Sequence, residues 1–174
     1  RNNKAILLLG ESGSGKSHTA DLLSRKYPLI SDDTIAIEKN YNSNFCLKGF
    51  PYLCVQDNKK KFRLNDKRNR RIKFLSKNIS KKEKVKIDKI FFLEWAEENK
   101  IKELKLIDAF KFSILNSFRP LPSGDCKNSE IKYFSDISSI LNDSKQYIFY
   151  RKKGDIKESI RFFEKELENL DARS

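Results

Sequence analysis

The chain of 174 residues carries 37 Lys+Arg against 24 Asp+Glu, a net charge of +13, with 38% hydrophobic and 11% aromatic residues; at roughly 100–200 residues per domain this predicts one soluble domain over 1–174 and argues against a two-domain enzyme. No apolar run approaches the roughly 20 residues that span a bilayer, and Arg1-Asn-Asn-Lys4 leads only into the short apolar run Ala5 to Leu9, so a membrane protein, a membrane partner and a signal peptide are excluded. Three cysteines, Cys46, Cys54 and Cys126, show neither an even count nor metal-ligand spacing, which argues against a disulfide scaffold or zinc module and makes the cytoplasm the default compartment.

Taken in chain order, Lys4-Ala-Ile-Leu-Leu-Leu9 is a continuous apolar run ended by Gly10, the pattern of a strand buried on both faces. A helix over 17–26 follows, carrying Ala20, Leu22 and Leu23 and stopped by Pro28, which lacks a backbone donor. A brief strand then leads to Asp32-Asp33. Residues 34–37 and 45–47, separated by Asn and Ser, read as a β-hairpin. Residues 59–89 hold 15 basic and 3 acidic residues, so their net of +12 accounts for nearly the whole charge of the chain. Beyond them the pattern predicts a strand over 89–94. A helix over 103–118 should present Ile107, Phe110, Ile114 and Phe118 on one face, and a second helix over 129–141 leads to a strand over 147–150. In the last segment Asp155 and Glu158 have capping-box-like spacing, and Ile156, Ile160, Phe163, Leu167 and Leu170 recur at helical intervals.

Chemistry concentrates in Gly10-Glu-Ser-Gly-Ser-Gly-Lys-Ser17, which fits G-x-x-x-x-G-K-[ST] between a strand and a helix start. Glycines let such a loop curl so that successive backbone N–H groups face phosphate oxygens, and the helix N-terminus adds positive potential. The loop thus predicts an ATP or GTP site formed by Gly10, Ser12, Gly13, Ser14, Gly15, Lys16, Ser17 and His18. Lys16 bridges the terminal phosphates and the Ser17 hydroxyl ligates Mg²⁺. Asp32 lies 16 positions after Lys16, room for one helix and one return strand. The Asp32-Asp33 pair is therefore expected beside the loop, one carboxylate as base for an attacking hydroxyl and the other towards the metal.

Residues 6–17 followed by Leu29-Ile-Ser-Asp-Asp-Thr-Ile-Ala-Ile37 resemble the catalytic core of the HPr kinase/phosphorylase superfamily, which pairs a G-x-S-G-x-G-K-S loop with a strand ending in Asp-Asp. HPr-kinase-like proteins of peptide-tailoring systems are closer still, since Lys48-Gly-Phe-Pro51 resembles the turn that follows their hairpin. Weaker likeness continues through 89–94, 113–119 and 147–151. The resemblance implies an α/β fold with a P-loop-containing mixed β-sheet and flanking helices, an HPr-kinase/PEP-carboxykinase-like core. It also implies ATP and Mg²⁺ as cofactors and transfer of the γ-phosphate to a hydroxyl, Ser of a protein or peptide partner. On matching positions Asp32 becomes the base, Asp33 the metal-side carboxylate, and Lys16 and Ser17 the phosphate and Mg²⁺ ligands. HPr kinases assemble, so a homo-oligomer belongs to the same expectation. His18 stands where HPr kinases proper carry Glu, their upstream His would precede Arg1, and their phosphorylase loop has no counterpart; these departures point away from HPr as acceptor and away from phosphorolysis. The missing upstream strands, with the absence of any Met, predict an N-terminally shortened chain.

Two other functions compete. A small-molecule kinase resembling shikimate kinase has about this length, but would carry an arginine-bearing lid and a helix where the hairpin is predicted. A non-catalytic nucleotide- or nucleic-acid-binding regulatory module would use the basic segment for docking. That segment, despite Tyr52, Phe62 and Phe74, holds no RNA- or DNA-binding motif and predicts no specific nucleic-acid partner; Arg70, Arg71 or Lys73 could instead reach ATP phosphates or an acidic peptide. His18 is expected on the helix surface, Trp95 in packing, and the cysteines as small core residues.

Overall fold

The structure, a computed structural model, describes residues 4–32, 34–40, 43–49, 52–56, 70–74, 78–117 and 126–172. The strand β1 (Lys4–Leu9) runs into the glycine loop and then α1 (Lys16–Leu23). The hairpin follows as β2 (Ile37–Asn40) and β3 (Ser43–Leu47), then β4 (Tyr52–Gln56), β5 (Arg70–Phe74), β6 (Lys84–Ala96) and β7 (Lys100–Glu103). The chain ends with α2 (Leu106–Ser117), α3 (Cys126–Asn142), β8 (Lys145–Lys152) and α4 (Ile156–Ala172). This is the expected mixed α/β architecture. A six-stranded sheet has the order β2-β3-β6-β8-β7 with β1 paired to β6, and β4-β5 form a separate ribbon.

The long strand β6 organises the molecule. It runs parallel to β1 (Leu9 opposite Phe92) and to β8 (Trp95 opposite Arg151), and antiparallel to β3 at Lys84–Lys86. Successive side chains of a strand point to opposite faces, so Ile90 and Phe92 join Ala5, Leu7, Ile148 and the inner faces of α2 and α3, while Phe91 and Leu93 join Phe149, Phe163 and Leu167 of α4. Helices cover both faces, which is why the parallel strands read as continuous apolar runs. Phe163 meets Phe91 edge-on at 4.8 Å and stacks on Phe149 at 4.9 Å, locking α4 to the sheet. The predicted start of α4 is present: the Glu158 N–H donates to Asp155 Oδ1 at 2.9 Å.

Several boundaries differ from expectation. Residues 29–32 form only a Leu29–Ile79 bridge instead of a strand, because the segment is held by single bonds from three neighbours and has no ladder of its own. The strand predicted over 89–94 extends in both directions, and the helix predicted from 103 starts at Leu106. Residues 100–103 instead pair with β8 as an edge strand whose side chains are largely exposed. Ile107, expected on the inner face of α2, is 59% exposed, and Ala109 and Ser113 are buried in its place. Phe118 and residues 59–69 and 75–77 of the basic segment lie outside the described residues. No helix among the described residues is long and apolar enough to cross a membrane.

Candidate active site

The glycine loop sits at the carboxyl ends of the parallel strands β1, β6 and β8, where an α/β sheet leaves a crevice for ligands. Its turn closes through Ser14 N–H to the Glu11 carbonyl (3.0 Å), and the first bond of α1 runs from Thr19 N–H to the Gly15 carbonyl (2.9 Å). Three glycines are required by geometry. A Cβ on Gly10 would lie 2.7 Å from Ser14 Oγ and 2.9 Å from the Leu93 carbonyl, so the loop leaves β1 pressed against β6. Gly15, at φ +78°, adopts the left-handed conformation that side chains disfavour, and no side chain caps α1 there. Gly13 faces open space but takes φ +91°, so its requirement is backbone conformation alone.

Lys16 folds back over this loop and donates from Nζ to the Gly10 (2.6 Å) and Glu11 (2.8 Å) carbonyls. Ser14 is buried with its Oγ unpartnered, Ser12 is exposed, and His18 lies exposed on α1 as expected. The Ser17 hydroxyl donates to Asp32 Oδ1 at 3.2 Å, so the carboxylate does return to the loop.

Asp32 is placed by a web of local bonds. Asn78 Nδ2 donates to the Ser24 carbonyl (2.6 Å) at the end of α1, and Leu29 N–H donates to Asn78 O (3.0 Å). Gly49 N–H donates to Ile30 O (2.9 Å), and a Cβ on Gly49 would collide with the Ser31 side chain. Beyond Asp32, Ser31 Oγ donates to Thr34 O (3.0 Å) and Thr34 N–H to Asp32 O (2.9 Å). The Lys48-Gly49 turn after the hairpin thus presses the Asp32 segment towards α1. Asp33, Phe50 and Pro51 lie outside the described residues. A groove of about 1230 Å³ runs from the loop past Ser17 and Asp32 along β1, lined also by Ile35, Asn116 and Ile137.

No family model matches the chain, and the curated proteins contain no match. Among solved structures it is similar to the HPr(Ser) kinase/phosphatase from Coxiella burnetii, at 14% identity and a TM-score of 0.47, over 98% of this chain and 88% of that one. That likeness concerns overall fold alone. The chemistry is read from this chain's own residues.

Sequence reasoning missed three residues behind the loop. Arg151 of β8 is 0% exposed; its Nη1 donates to the buried Thr19 Oγ1 at 2.6 Å, and its guanidinium stacks 4.3 Å from the centre of the Trp95 ring. A Cβ on Gly15 would stand only 3.1 and 3.3 Å from its two terminal nitrogens. Burial drives its pKa from 12.5 down to about 10. Trp95, expected in packing, is 41% exposed and serves as one wall for this cation. The signal was the arginine in Gln-Tyr-Ile-Phe-Tyr-Arg151: a strand covered on both faces buries whatever it carries.

Proposed function

We propose that the chain is an ATP-dependent phosphotransferase that transfers the γ-phosphate to a hydroxyl, with Ser of a protein or peptide as acceptor. What supports this most is the 3.2 Å bond between Ser17 of the glycine loop and Asp32, since it sets a carboxylate where a terminal phosphate on the loop would meet an acceptor. The hairpin β2–β3 also occupies the place where the small-molecule-kinase reading requires a helix.

Mg²⁺ suits the residues present. It accepts one or two protein oxygens and completes its shell with water and substrate phosphates, and Ser17 offers a hydroxyl with the Asp32 carboxylate adjoining it. Among the described residues no group of three or more His, Cys, Asp or Glu gathers as an all-protein cage. Ser17 and Asp33 are the proposed ligands, and the ion would neutralise the phosphate oxygens during transfer.

Lys16 leaves the Gly10 and Glu11 carbonyls to engage the terminal phosphates. The acceptor oxygen attacks the γ-phosphorus in line, its proton passes to Asp32, and the bond to ADP breaks. The same Ser17 contact favours a second assignment, in which Asp32 holds the metal and Asp33 takes the proton. Calorimetric titration with Mg·ATP tests the nucleotide site: Lys16→Ala should abolish the binding heat of the wild type, and unchanged binding overturns the reading. Titrating Mg²⁺ into Asp32→Asn and Asp33→Asn separates the two assignments, because the metal-side variant needs more Mg²⁺ and the base variant loses turnover at any Mg²⁺ concentration.

A further inference from the structure

Burying a charged group without a partner is expensive, so buried arginines are ordinarily matched by carboxylates or fully hydrogen-bonded. Arg151 has neither. Its Nε and Nη2 lack any hydrogen-bond partner, and the groups around its head are a threonine hydroxyl, an indole face and the backbone of Gly15. Burial is the cause of its displaced pKa, and no carboxylate of the described residues acts on it.

The position of this cation is specific. Arg151 lies directly opposite Trp95 at the carboxyl ends of β8 and β6, and its hydroxyl partner Thr19 belongs to the first turns of α1. The absence of a side chain at Gly15 lets the guanidinium come up against the loop from behind. Only the loop backbone then separates it from the face that would receive phosphate, and in such a low-dielectric setting a fixed charge acts strongly on a neighbouring anion.

We infer that Arg151 is an electrostatic positioning residue of the phosphate loop, a cation held behind Gly15 by Thr19 and Trp95 whose countercharge is the polyphosphate of the bound nucleotide. This rests on the nucleotide-site reading above. It adds a second positive charge to that of Lys16 and divides the work. Lys16 reaches round the loop to touch phosphate, whereas Arg151 acts through the loop.

The test compares charge with shape in the full chain, using inorganic pyrophosphate and adenosine as probes in calorimetry at physiological salt. Arg151→Met keeps much of the volume without charge, and Arg151→Lys keeps the charge. Pyrophosphate should bind Arg151→Met roughly tenfold more weakly and Arg151→Lys within about threefold of wild type, with adenosine unaffected by either. The ligand-free melting temperature of Arg151→Met should equal or exceed that of wild type, which a merely structural arginine would not allow. Equal pyrophosphate affinity in wild type and Arg151→Met, equal weakening in both variants, or a melting temperature of Arg151→Met below wild type would each overturn the inference. If wild type binds neither pyrophosphate nor ADP, the nucleotide-site reading falls and takes this inference with it; if wild type binds and only the Arg151 comparison fails, that reading stands alone. Thr19→Val supplies an independent arm: losing the tether should weaken pyrophosphate binding a few-fold, and unchanged binding counts against the proposal.

Discussion

The two ends of the central strands bury a cation each, and they treat it in opposite ways. Midway along β6, opposite the amino end of β8 at Lys145, Lys89 is 3% exposed and donates to Asp88 Oδ2 at 2.6 Å and Asp171 Oδ1 at 2.9 Å, with Lys4 also bonded to Asp88 at 2.8 Å. Burial lowers the Lys89 pKa, but the two hydrogen-bonded carboxylates outweigh it and leave Lys89 above 10.5. At the carboxyl end, Arg151 meets no carboxylate among the described residues and its pKa stays depressed. One end is electrostatically closed within the protein and pins the end of α4 to β6. The other is left open beside the loop, which is what a site that receives an anion requires.

Substitutions at the two ends should therefore report in different measurements. The largest effect belongs to the open end. Asn keeps the shape of Asp32 but cannot take a proton, so Asp32→Asn should lower the rate of hydroxyl phosphorylation by about 10²–10⁴-fold, with thermal melting and Mg·ATP affinity little changed. Near-normal turnover would exclude Asp32 as base and favour the metal-side assignment.

Next in size, Lys89→Met removes the buried cation shared by Asp88 and Asp171 at the closed end and should destabilise the fold by about 3 kcal/mol, read from urea unfolding, while leaving pyrophosphate affinity at the loop intact. A loss of affinity comparable to that of Arg151→Met would erase the distinction between the ends.

The same cluster predicts a pH profile. Burial pushes the Asp88 carboxyl up, but hydrogen bonds from Lys4 and Lys89 bring it below 3.8 overall. Its contribution is thus complete above 3.8 and lost as pH falls through the lowered value. Lys89, raised above 10.5, contributes fully below 10.5, and that contribution is lost as pH rises through its folded value. The urea midpoint should fall at both extremes, and Lys89→Met should flatten both limbs.

The smallest effect is Gly15→Ala. The left-handed φ of +78° and the Arg151 nitrogens at 3.1 and 3.3 Å should cost about 1–2 kcal/mol of stability, and combination with Arg151→Met should recover part of it by removing the cationic neighbour. Full additivity in a double-mutant cycle would mean that the two residues do not sense each other.

Legibility in the sequence follows how local each cause is. The unbroken apolar run of β1, the glycine loop and the capped periodic α4 are set by neighbours in the chain and lie where the pattern puts them, and the Asn/Ser-separated hairpin is present with its first strand moved from 34–37 to Ile37–Asn40. The return of Asp32 to Ser17 followed from spacing, although the device that achieves it, the Gly49 turn pressed on Ser31, involves contacts far along the chain. β7 was hidden because Lys100-Ile-Lys-Glu103 is short, charged and an edge strand, patterned like the start of a helix. The exposure of Ile107 depends on how α2 lies against α3 and β8, which periodicity alone does not decide. Arg151 and Thr19 stand 132 positions apart, and only the parallel pairing of β6 with β8 brings that arginine under the loop.

Phosphoryl transfer is the central claim, and its direct test is the fate of the label when the wild-type chain is incubated with Mg²⁺, [γ-³²P]ATP and an array of serine-containing peptides. Label should appear as phosphoserine on a subset of peptides, and should vanish with Lys16→Ala and fall by about 10²-fold or more with Asp32→Asn. A wild-type chain that binds Mg·ATP yet leaves all label in ATP, or releases it only as inorganic phosphate, would contradict the account.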